Sequence, residues 1–335
     1  MSGTHVIGLS ATELAALWTT YISESISVQF SRYFLAIVED DEVKPLIEHS
    51  LSISHAHLNT IQHIFEKEQF PVPQGFSESD LNTAASPLFF DLFPLSYVYA
   101  MSRLSLAKHA MNMANVARSD IRDFFSKCIQ STSDLYSNSV DIMLSKGLYD
   151  RPPLIPYPDR VSFVDRKENN LSRWFGPQRT LNVLEMSEMF FNIERNYFGL
   201  ILLTAFLQVV KDEKLKSLLL RGKEMARKQI EFINEKFIKD ELLGTIMVNT
   251  EVTTSTESPF SDKMILNLVN MLNSAALTYI GSALSMTTRL DLVAEYTKLI
   301  PEIMQYGKDL TDLLIERHWL EEPPHAPNRK ELANI

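Results

Sequence analysis

Two polar residues, Glu24 and His57, have the types and the spacing to do chemistry in this 335-residue chain. A tight polar turn at residues 38–46, with Glu39 and Asp40 at its centre, lies between them and predicts a helical hairpin. Glu24 lies about 15.5 residues before that centre and His57 about 17.5 after it, so both fall within ~3 Å of the same height. A carboxylate and an imidazole can therefore meet inside a helical bundle.

The pair has two interpretations, and both are open at this point. Glu24 and His57 each lie in the alternating spacing of three and four residues that marks the inward face of a helix. An isolated charge there is costly, so the first interpretation is a structural hydrogen-bonded or ionic pair, with no cofactor expected. The alternative is a metal or small-molecule site that includes both residues, with iron, manganese or zinc as the ion.

Carboxylate-bridged di-iron bundles provide a test of the metal alternative, because they combine two glutamates with two copies of Glu-x-x-His. Ser54 stands three residues before His57, and the predicted helices contain no Glu-x-x-His. A standard di-iron centre is therefore not expected. His109, off the strongest inward stripe of its helix, is interpreted as structural, and Cys128, the only cysteine, as a small buried residue.

The surroundings of the pair occur a second time, without its ionisable groups. The chain repeats at an offset of 172, as from Phe34 to Phe206, and at an offset of 171 beyond Pro259. In the second copy Asn196 and Gln229 stand where the first copy has the carboxylate and the imidazole. The second copy should therefore be inert toward metals.

Helical periodicity predicts four helices in each copy. They cover residues 10–38, 40–68, 86–117 and 119–146, and then 181–210, 212–239, 260–286 and 289–317. The 17 residues 69–85 reach up to ~56 Å, enough to cross a bundle, which is the ferritin-like route, while an up-and-down bundle stays open. We predict an all-α fold of two tandem ferritin-like four-helix bundles, at 1–147 and 181–335, joined by a Pro-rich packed linker at 148–180.

Composition narrows the classes of partner and compartment. A net charge of −10 without a basic stripe argues against nucleic acid. The most apolar stretch, residues 197–210, is shorter than the ~20 residues of a membrane span, and the first residues do not resemble a signal peptide. We expect no nucleic-acid partner, no transmembrane segment and a cytoplasmic location, with a protein partner or self-association open.

Five segments together resemble one known family. They are residues 9–13, the turn at 38–46, the Pro-rich run at 146–156, the run at 258–263 and the tail at 319–324. The combination resembles a family of duplicated ferritin-like proteins of unknown function from spore-forming bacilli, some of them labelled spore-coat proteins. The resemblance implies a histidine on the second helix of each copy, which His57 matches and Gln229 does not.

These observations favour a non-enzymatic structural or interaction protein, associated with sporulation or the spore coat. The sequence carries no nucleophile elbow, no phosphate-binding glycine loop and no cysteine paired with a base at a recognised spacing. The alternative is a ferritin-like binding protein, acting as a sensor, carrier or oxidase, with its site at Glu24 and His57 in the first bundle. The metal content of the purified protein distinguishes the two.

Overall fold

The computed structural model describes residues 7–163, 178–242 and 252–333, and the regular elements of these residues are helical. The first bundle consists of α1 to α4, the second of α5 to α8, and a short helix follows. The helices are α1 (Ala11–Ile37), α2 (Val43–Lys67), α3 (Phe93–Asn115), α4 (Ser119–Ser145), α5 (Val183–Val209), α6 (Glu213–Lys239), α7 (Asp262–Met286), α8 (Leu290–Glu316) and α9 (Arg329–Leu332). The prediction of an all-α fold in two similar halves is confirmed.

Both bundles begin with the same capping arrangement. The Glu13 carboxylate accepts a hydrogen bond from the Ser10 N–H, and the Ser10 hydroxyl accepts one from the Glu13 N–H. Glu185 and Asn182 make the equivalent pair at the start of α5. These bonds satisfy N–H groups that the first turn of a helix leaves without an intrahelical partner. The sequence therefore defines where α1 and α5 begin.

The buried cap glutamates also connect the helix ends. Glu13 accepts from the N–H of Arg118, just after α3, at 2.8 Å, and Arg118 pairs with Glu68, just after α2, at 2.6 Å. The carboxyl ends of α2 and α3 thus lie together, so these helices run parallel and their connection crosses the length of the bundle. This excludes the up-and-down alternative for the first bundle. In the second bundle Glu185 likewise accepts from the N–H of Arg289 at 3.2 Å.

The third helix starts later than the sequence predicts. Ser86 and Pro87 have the pattern of a helix start, yet α3 begins at Phe93. The preceding residues pair with the second half of the chain, where the Thr253 N–H donates to the Leu88 carbonyl at 3.0 Å. Backbone polar groups need partners, and here a segment distant in sequence supplies those that a helical turn would have provided.

The two connections that cross the bundles pair with each other. Leu81 forms an antiparallel bridge with Phe260, and Phe89 forms one with Val252. In the structure an offset of 171 relates residue 81 to 252 and residue 89 to 260, although the sequence match keeps the offset of 172 as far as Pro259. The two bridges therefore exchange places when the two halves are exchanged. Such reciprocity is the pattern of a two-fold interface, here formed within one chain.

The ring of Phe260 forms the hydrophobic part of this contact. It is 3% exposed and stacks on Phe30 of α1, with ring centroids 4.1 Å apart. Tyr33 meets it edge-on at 5.0 Å, and Phe206 of α5 does so at 6.4 Å. Aromatic pairs at such distances stabilise beyond the apolar area that they bury. One hydrophobic core therefore extends from the first bundle into the second.

Among the described residues, α7 is long and apolar enough to cross a membrane by length and composition alone. In the structure it packs within the second bundle, where Ile265, Leu266 and Leu268 are fully buried. A helix that is apolar on several sides is expected when its neighbours cover it. Burial in the bundle core thus accounts for part of the apolar composition of α7, since 39% of its apolar window is buried.

Gly75, in the connection between α2 and α3, has a φ of +61°, and a Cβ there would lie 2.7 Å from Ser25 Oγ. Gly75→Ala is expected to lower the free energy of unfolding by about 1–3 kcal/mol, because alanine resists this backbone conformation. Gly281→Ala is the control, since open space surrounds that position of α7 and alanine should stabilise the helix by about 0.5–1 kcal/mol. Chemical denaturation measures both, and effects of the same sign would contradict the prediction.

Candidate metal centre

Glu24 and His57 meet at the height that the sequence predicts. His57 Nδ1 lies 2.7 Å from Glu24 Oε1. Both residues are buried, with His57 6% exposed and Glu24 8% exposed. Glu24 comes from α1 and His57 from α2. The fixed rise of 1.5 Å per residue carries both residues the same distance from the turn. The pairing expected under the structural interpretation is therefore present.

His109 of α3 lies beside this pair, so its predicted position away from the inward face is wrong. It is 3% exposed, and its Nε2 lies 4.0 Å from Glu24 Oε1. Both of its ring nitrogens are buried without a hydrogen-bond partner. The reason for the error is that α3 turns Ser102, His109 and Asn112 inward and leaves the apolar side chain of Met111 51% exposed.

Cys128 of α4 completes the group. Its Sγ and one ring nitrogen from each of His57 and His109 all lie within 4.8 Å of one another. Ser131, also on α4, has its Oγ 3.3 Å from His57 Nε2, so this nitrogen faces α4 while Nδ1 faces α1. Each of the four helices of the first bundle thus contributes one residue to a buried group of Glu24, His57, His109 and Cys128.

The protonation states of this group follow from burial and from its internal contacts. Burial opposes ionisation of Glu24, but the hydrogen bonds of His57 and Ser54 outweigh it and hold the pKa of the carboxyl below its usual value. Burial lowers the pKa of His109 to about 4, so this ring is neutral at pH 7. Burial and the charge of Glu24 raise the pKa of the Cys128 thiol. At neutral pH the group therefore holds a carboxylate, a neutral imidazole and a thiol.

These states make Cys128 a poor nucleophile. Reactive cysteines are partly exposed and have a lowered pKa, whereas this side chain is fully buried and its pKa is raised. A neutral imidazole keeps a lone pair free, and a thiol becomes a strong ligand once a cation displaces its proton. The chemistry that the group supports is therefore coordination of a soft or borderline metal ion.

The second bundle lacks such donors at the same height. Asn196 and Gln229 replace Glu24 and His57 and form a hydrogen bond of 3.1 Å. The offset of 171 relates Ile280 to His109 and Leu299 to Cys128, and both side chains are buried. The described side chains at this height are thus two neutral amides and two hydrocarbon side chains, in place of the ionisable group of the first bundle.

The other histidines of α2 and the Glu-x-x-His sequence of the tail lie outside this group. His49 and His63 are exposed on α2, and His55 is half-buried. The chain's Glu-x-x-His sequence, Glu322 to His325, lies in the exposed tail, where the two side chains are 3.2 Å apart. A di-iron motif on the bundle helices is therefore not found among the described residues.

Comparison with known proteins assigns the chain to a family. No curated protein sequence shows significant similarity to it. A solved structure from Bacillus halodurans, described as a "putative spore coat protein", is similar with a TM-score of 0.40 and 15% sequence identity, over 45% of this chain and 98% of that one. The family described as "Protein of unknown function (DUF3231)" matches residues 3–161 and again residues 169–332. Since these matches span nearly the whole chain, the protein belongs to the DUF3231 family and contains the family's domain twice.

Proposed function

We propose that the first bundle binds one zinc-like metal ion, with His57, His109 and Cys128 as ligands and Glu24 as the group that orients His57. The observation that carries this proposal is the environment of His109, whose two ring nitrogens are buried without a hydrogen-bond partner. A buried polar atom left unsatisfied costs about 1–3 kcal/mol. A metal ion bound to one nitrogen would offset that cost, whereas a purely structural role leaves it unexplained.

Glu24 has a different role from the three ligands. Its carboxylate meets Nδ1 of His57, and the other ring nitrogen, Nε2, faces the helix that carries Cys128. Metal-bound histidines generally donate their second N–H to a carboxylate or carbonyl, which fixes the orientation of the ring. The Glu24–His57 hydrogen bond is thus compatible with both the structural pair and a metal site, and in the second case it supports coordination.

The distances allow the three ligand atoms to converge on one ion. Zinc binds nitrogen at 2.0–2.1 Å and sulfur near 2.3 Å, so tetrahedral ligand atoms lie about 3.3–3.8 Å apart. The three ligand atoms here lie within 4.8 Å of one another. Binding of one ion would require the ligand atoms to approach one another by about 1 Å, which is within the reach of small side-chain rotations.

The donor types select among iron, manganese and zinc. Thiolate and imidazole together suit zinc, whereas manganese prefers carboxylate and other oxygen donors. Iron accepts imidazole but has no second carboxylate here, since Glu24 is the carboxylate of the buried group. A zinc ion at this position would join α2, α3 and α4 directly and α1 through Glu24. Its role would be to clamp the bundle, in keeping with a non-enzymatic structural protein.

Elemental analysis of the full chain, purified without an affinity tag and dialysed against Zn²⁺, tests the proposal. We expect one zinc ion per chain in the wild type and none in His109→Ala or Cys128→Ala. Glu24→Gln should retain zinc with an affinity about 10–100-fold weaker, because it removes only the orienting group. His63→Ala changes an exposed histidine of the same helix as His57 and should keep the zinc of the wild type.

Cobalt provides a second readout. Co²⁺ bound to Cys128 should give a thiolate charge-transfer absorption band that is present in the wild type and lost in Cys128→Ala. A zinc concentration 100 times the dissociation constant should also stabilise the folded wild type by about 2.7 kcal/mol. Circular dichroism confirms that each variant is folded. Wild-type protein that takes up neither metal, or Ala variants that retain both, would overturn the proposal.

The location in the cell is a separate question from the metal site. The sequence predicts a cytoplasmic location, and the family resemblance adds an association with the spore. Mass spectrometry of purified spores and of vegetative cells measures the location directly. Recovery from vegetative cells alone would count against the spore association and would leave the zinc proposal unaffected.

A further inference from the structure

A cavity of about 140 Å³ lies in the second bundle and reaches the side of α3 in the first. Its walls are mostly hydrocarbon, with Leu202, Leu203, Val269 and Ile303 among the lining side chains. Apolar cavities near 150 Å³ bind a benzene-sized molecule. The cavity is therefore large enough for a phenyl ring or a short alkyl chain.

The first bundle has a larger side chain at a position that lines this cavity in the second. Leu202 of the second bundle corresponds to Phe30 of the first at the offset of 172. The Phe30 ring stacks on Tyr97 with centroids 4.8 Å apart and occupies the bundle interior. Gly222, which also lines the cavity, corresponds to Ser50. At these two positions the second copy has the smaller side chain, which leaves room for the cavity.

Arg195 gives the cavity a positively charged group. Its Nε is buried without a hydrogen-bond partner. Its Nη2 has only long contacts to neutral amide oxygens, 3.4 Å to Asn192 Oδ1 and 3.3 Å to Gln229 Oε1. Burial lowers the pKa of this guanidinium to about 10. Among the described residues no carboxylate forms an ion pair with it, so its charge lacks the partner that buried cations normally have.

The two acidic residues that line the cavity do not supply that partner. Glu194 is engaged by Arg103, with Nη1 and Oε2 2.9 Å apart, and burial raises the pKa of its carboxyl. Burial also raises the pKa of Asp150, which favours the uncharged acid. These groups lie at the α3 side of the cavity, and the residues that the structure describes provide no counterion for the guanidinium of Arg195.

We propose that this cavity binds a small apolar carboxylic acid, with its carboxylate on the Arg195 guanidinium and its hydrocarbon part against Leu202 and the neighbouring apolar walls. A carboxylate can accept two parallel N–H donors from arginine, including the Nε–H that has no partner here. The hydrocarbon part matches the apolar lining and the volume. This site is independent of the metal centre, which lies in the other bundle.

Calorimetric titration of the full chain with phenylacetate and with its neutral amide, phenylacetamide, tests the proposal. The two probes share size and shape and differ in charge. We expect the wild type to bind phenylacetate about 10–100-fold more tightly, the range that a charged hydrogen bond provides. Equal binding of the two probes, or no binding of phenylacetate at millimolar concentration, would overturn the proposal.

Two variants separate the charge from the cavity. Arg195→Gln should remove the preference for the acid, while Leu202→Phe should abolish binding of both probes by restoring the ring found in the first bundle. Arg227→Gln removes an exposed arginine of α6 and should bind as the wild type does. If Leu202→Phe fails to fold by circular dichroism, the probe preference of the wild type and of Arg195→Gln still decides the outcome. Retention of the full preference in Arg195→Gln would contradict the proposal.

Discussion

Replacement of Glu185 by glutamine is expected to lower the free energy of unfolding by about 3 kcal/mol at pH 7. Glu185 is 1% exposed and caps the start of α5. Burial opposes its ionisation, but Arg179, at 2.7 Å, and the backbone N–H groups of Asn182 and Thr288 outweigh burial and bring its pKa to about 2. Glutamine imitates the protonated carboxyl, so it lacks the stabilisation that the lowered pKa represents.

Because folding lowers the pKa of Glu185, the free energy of unfolding that Glu185→Gln loses depends on pH. A carboxyl whose pKa is lower in the folded than in the unfolded state stabilises fully above its unfolded pKa, near 4.5, and less as pH falls toward 2. The difference between wild type and Glu185→Gln should thus shrink from about 3 kcal/mol at pH 7 to roughly 1.4 kcal/mol at pH 3. Other groups titrate alike in both proteins and cancel in the comparison.

Chemical denaturation at the two pH values measures this difference. Glu224→Gln is the control, because Glu224 is an exposed glutamate of α6 that pairs with Arg227 on the surface. Its stability should match that of the wild type at both pH values, since surface ion pairs contribute little. A Glu185→Gln protein with wild-type stability at pH 7, or with the same deficit at pH 3 as at pH 7, would contradict the argument.

Replacement of Phe260 by alanine is expected to lower the free energy of unfolding by about 3–5 kcal/mol and to weaken the coupling between the bundles. The ring is almost fully buried and contacts Phe30 and Tyr33 across the junction and Phe206 within the second half. Alanine would leave a cavity where the shared core crosses from one bundle to the other. The two bundles should then unfold in two separate transitions.

The control for Phe260→Ala is Phe65→Ala. Phe65 is also fully buried, but it belongs to a separate cluster at the far end of the first bundle. Its loss should cost a similar free energy without separating the two bundles. Calorimetry and limited proteolysis report the number of transitions and the fragments released. Identical unfolding profiles for Phe65→Ala and Phe260→Ala would show that the junction does not couple the bundles.

The sequence predicted that Glu24 and His57 would meet, because the height of each residue along its helix can be counted from the same turn. Helix rise is fixed, so a residue count converts directly to height. The same measurement from the second turn, near Ala117, would have placed His109 8 residues before it and Cys128 11 after it, at comparable heights. Height alone does not identify a site, because each helix must also be rotated so that the side chain faces inward.

The rotation of α3 could not be predicted from its sequence. Its polar and apolar residues are distributed around the helix, so no single face is clearly hydrophobic. Tertiary packing turns Ser102 and His109 inward and leaves Met111 exposed. The start of α3 was missed for a related reason, since Leu88 is held by backbone more than 160 residues away, at Thr253. A contact between the two copies decides where α3 begins, and packing within the fold decides how it is rotated; local patterns encode neither feature.

The reciprocal bridges between the crossing connections have a consequence for how the two copies could diverge. Leu81 with Phe260 and Phe89 with Val252 are the contacts expected between the identical subunits of a symmetric dimer. In such a dimer every substitution appears on both sides of the axis, so the subunits cannot specialise. A covalently joined pair has no such restriction. The shared interface keeps the two bundles in a symmetric arrangement. The interior of the first bundle contains a group of ionisable side chains, and the interior of the second contains a hydrocarbon-lined cavity.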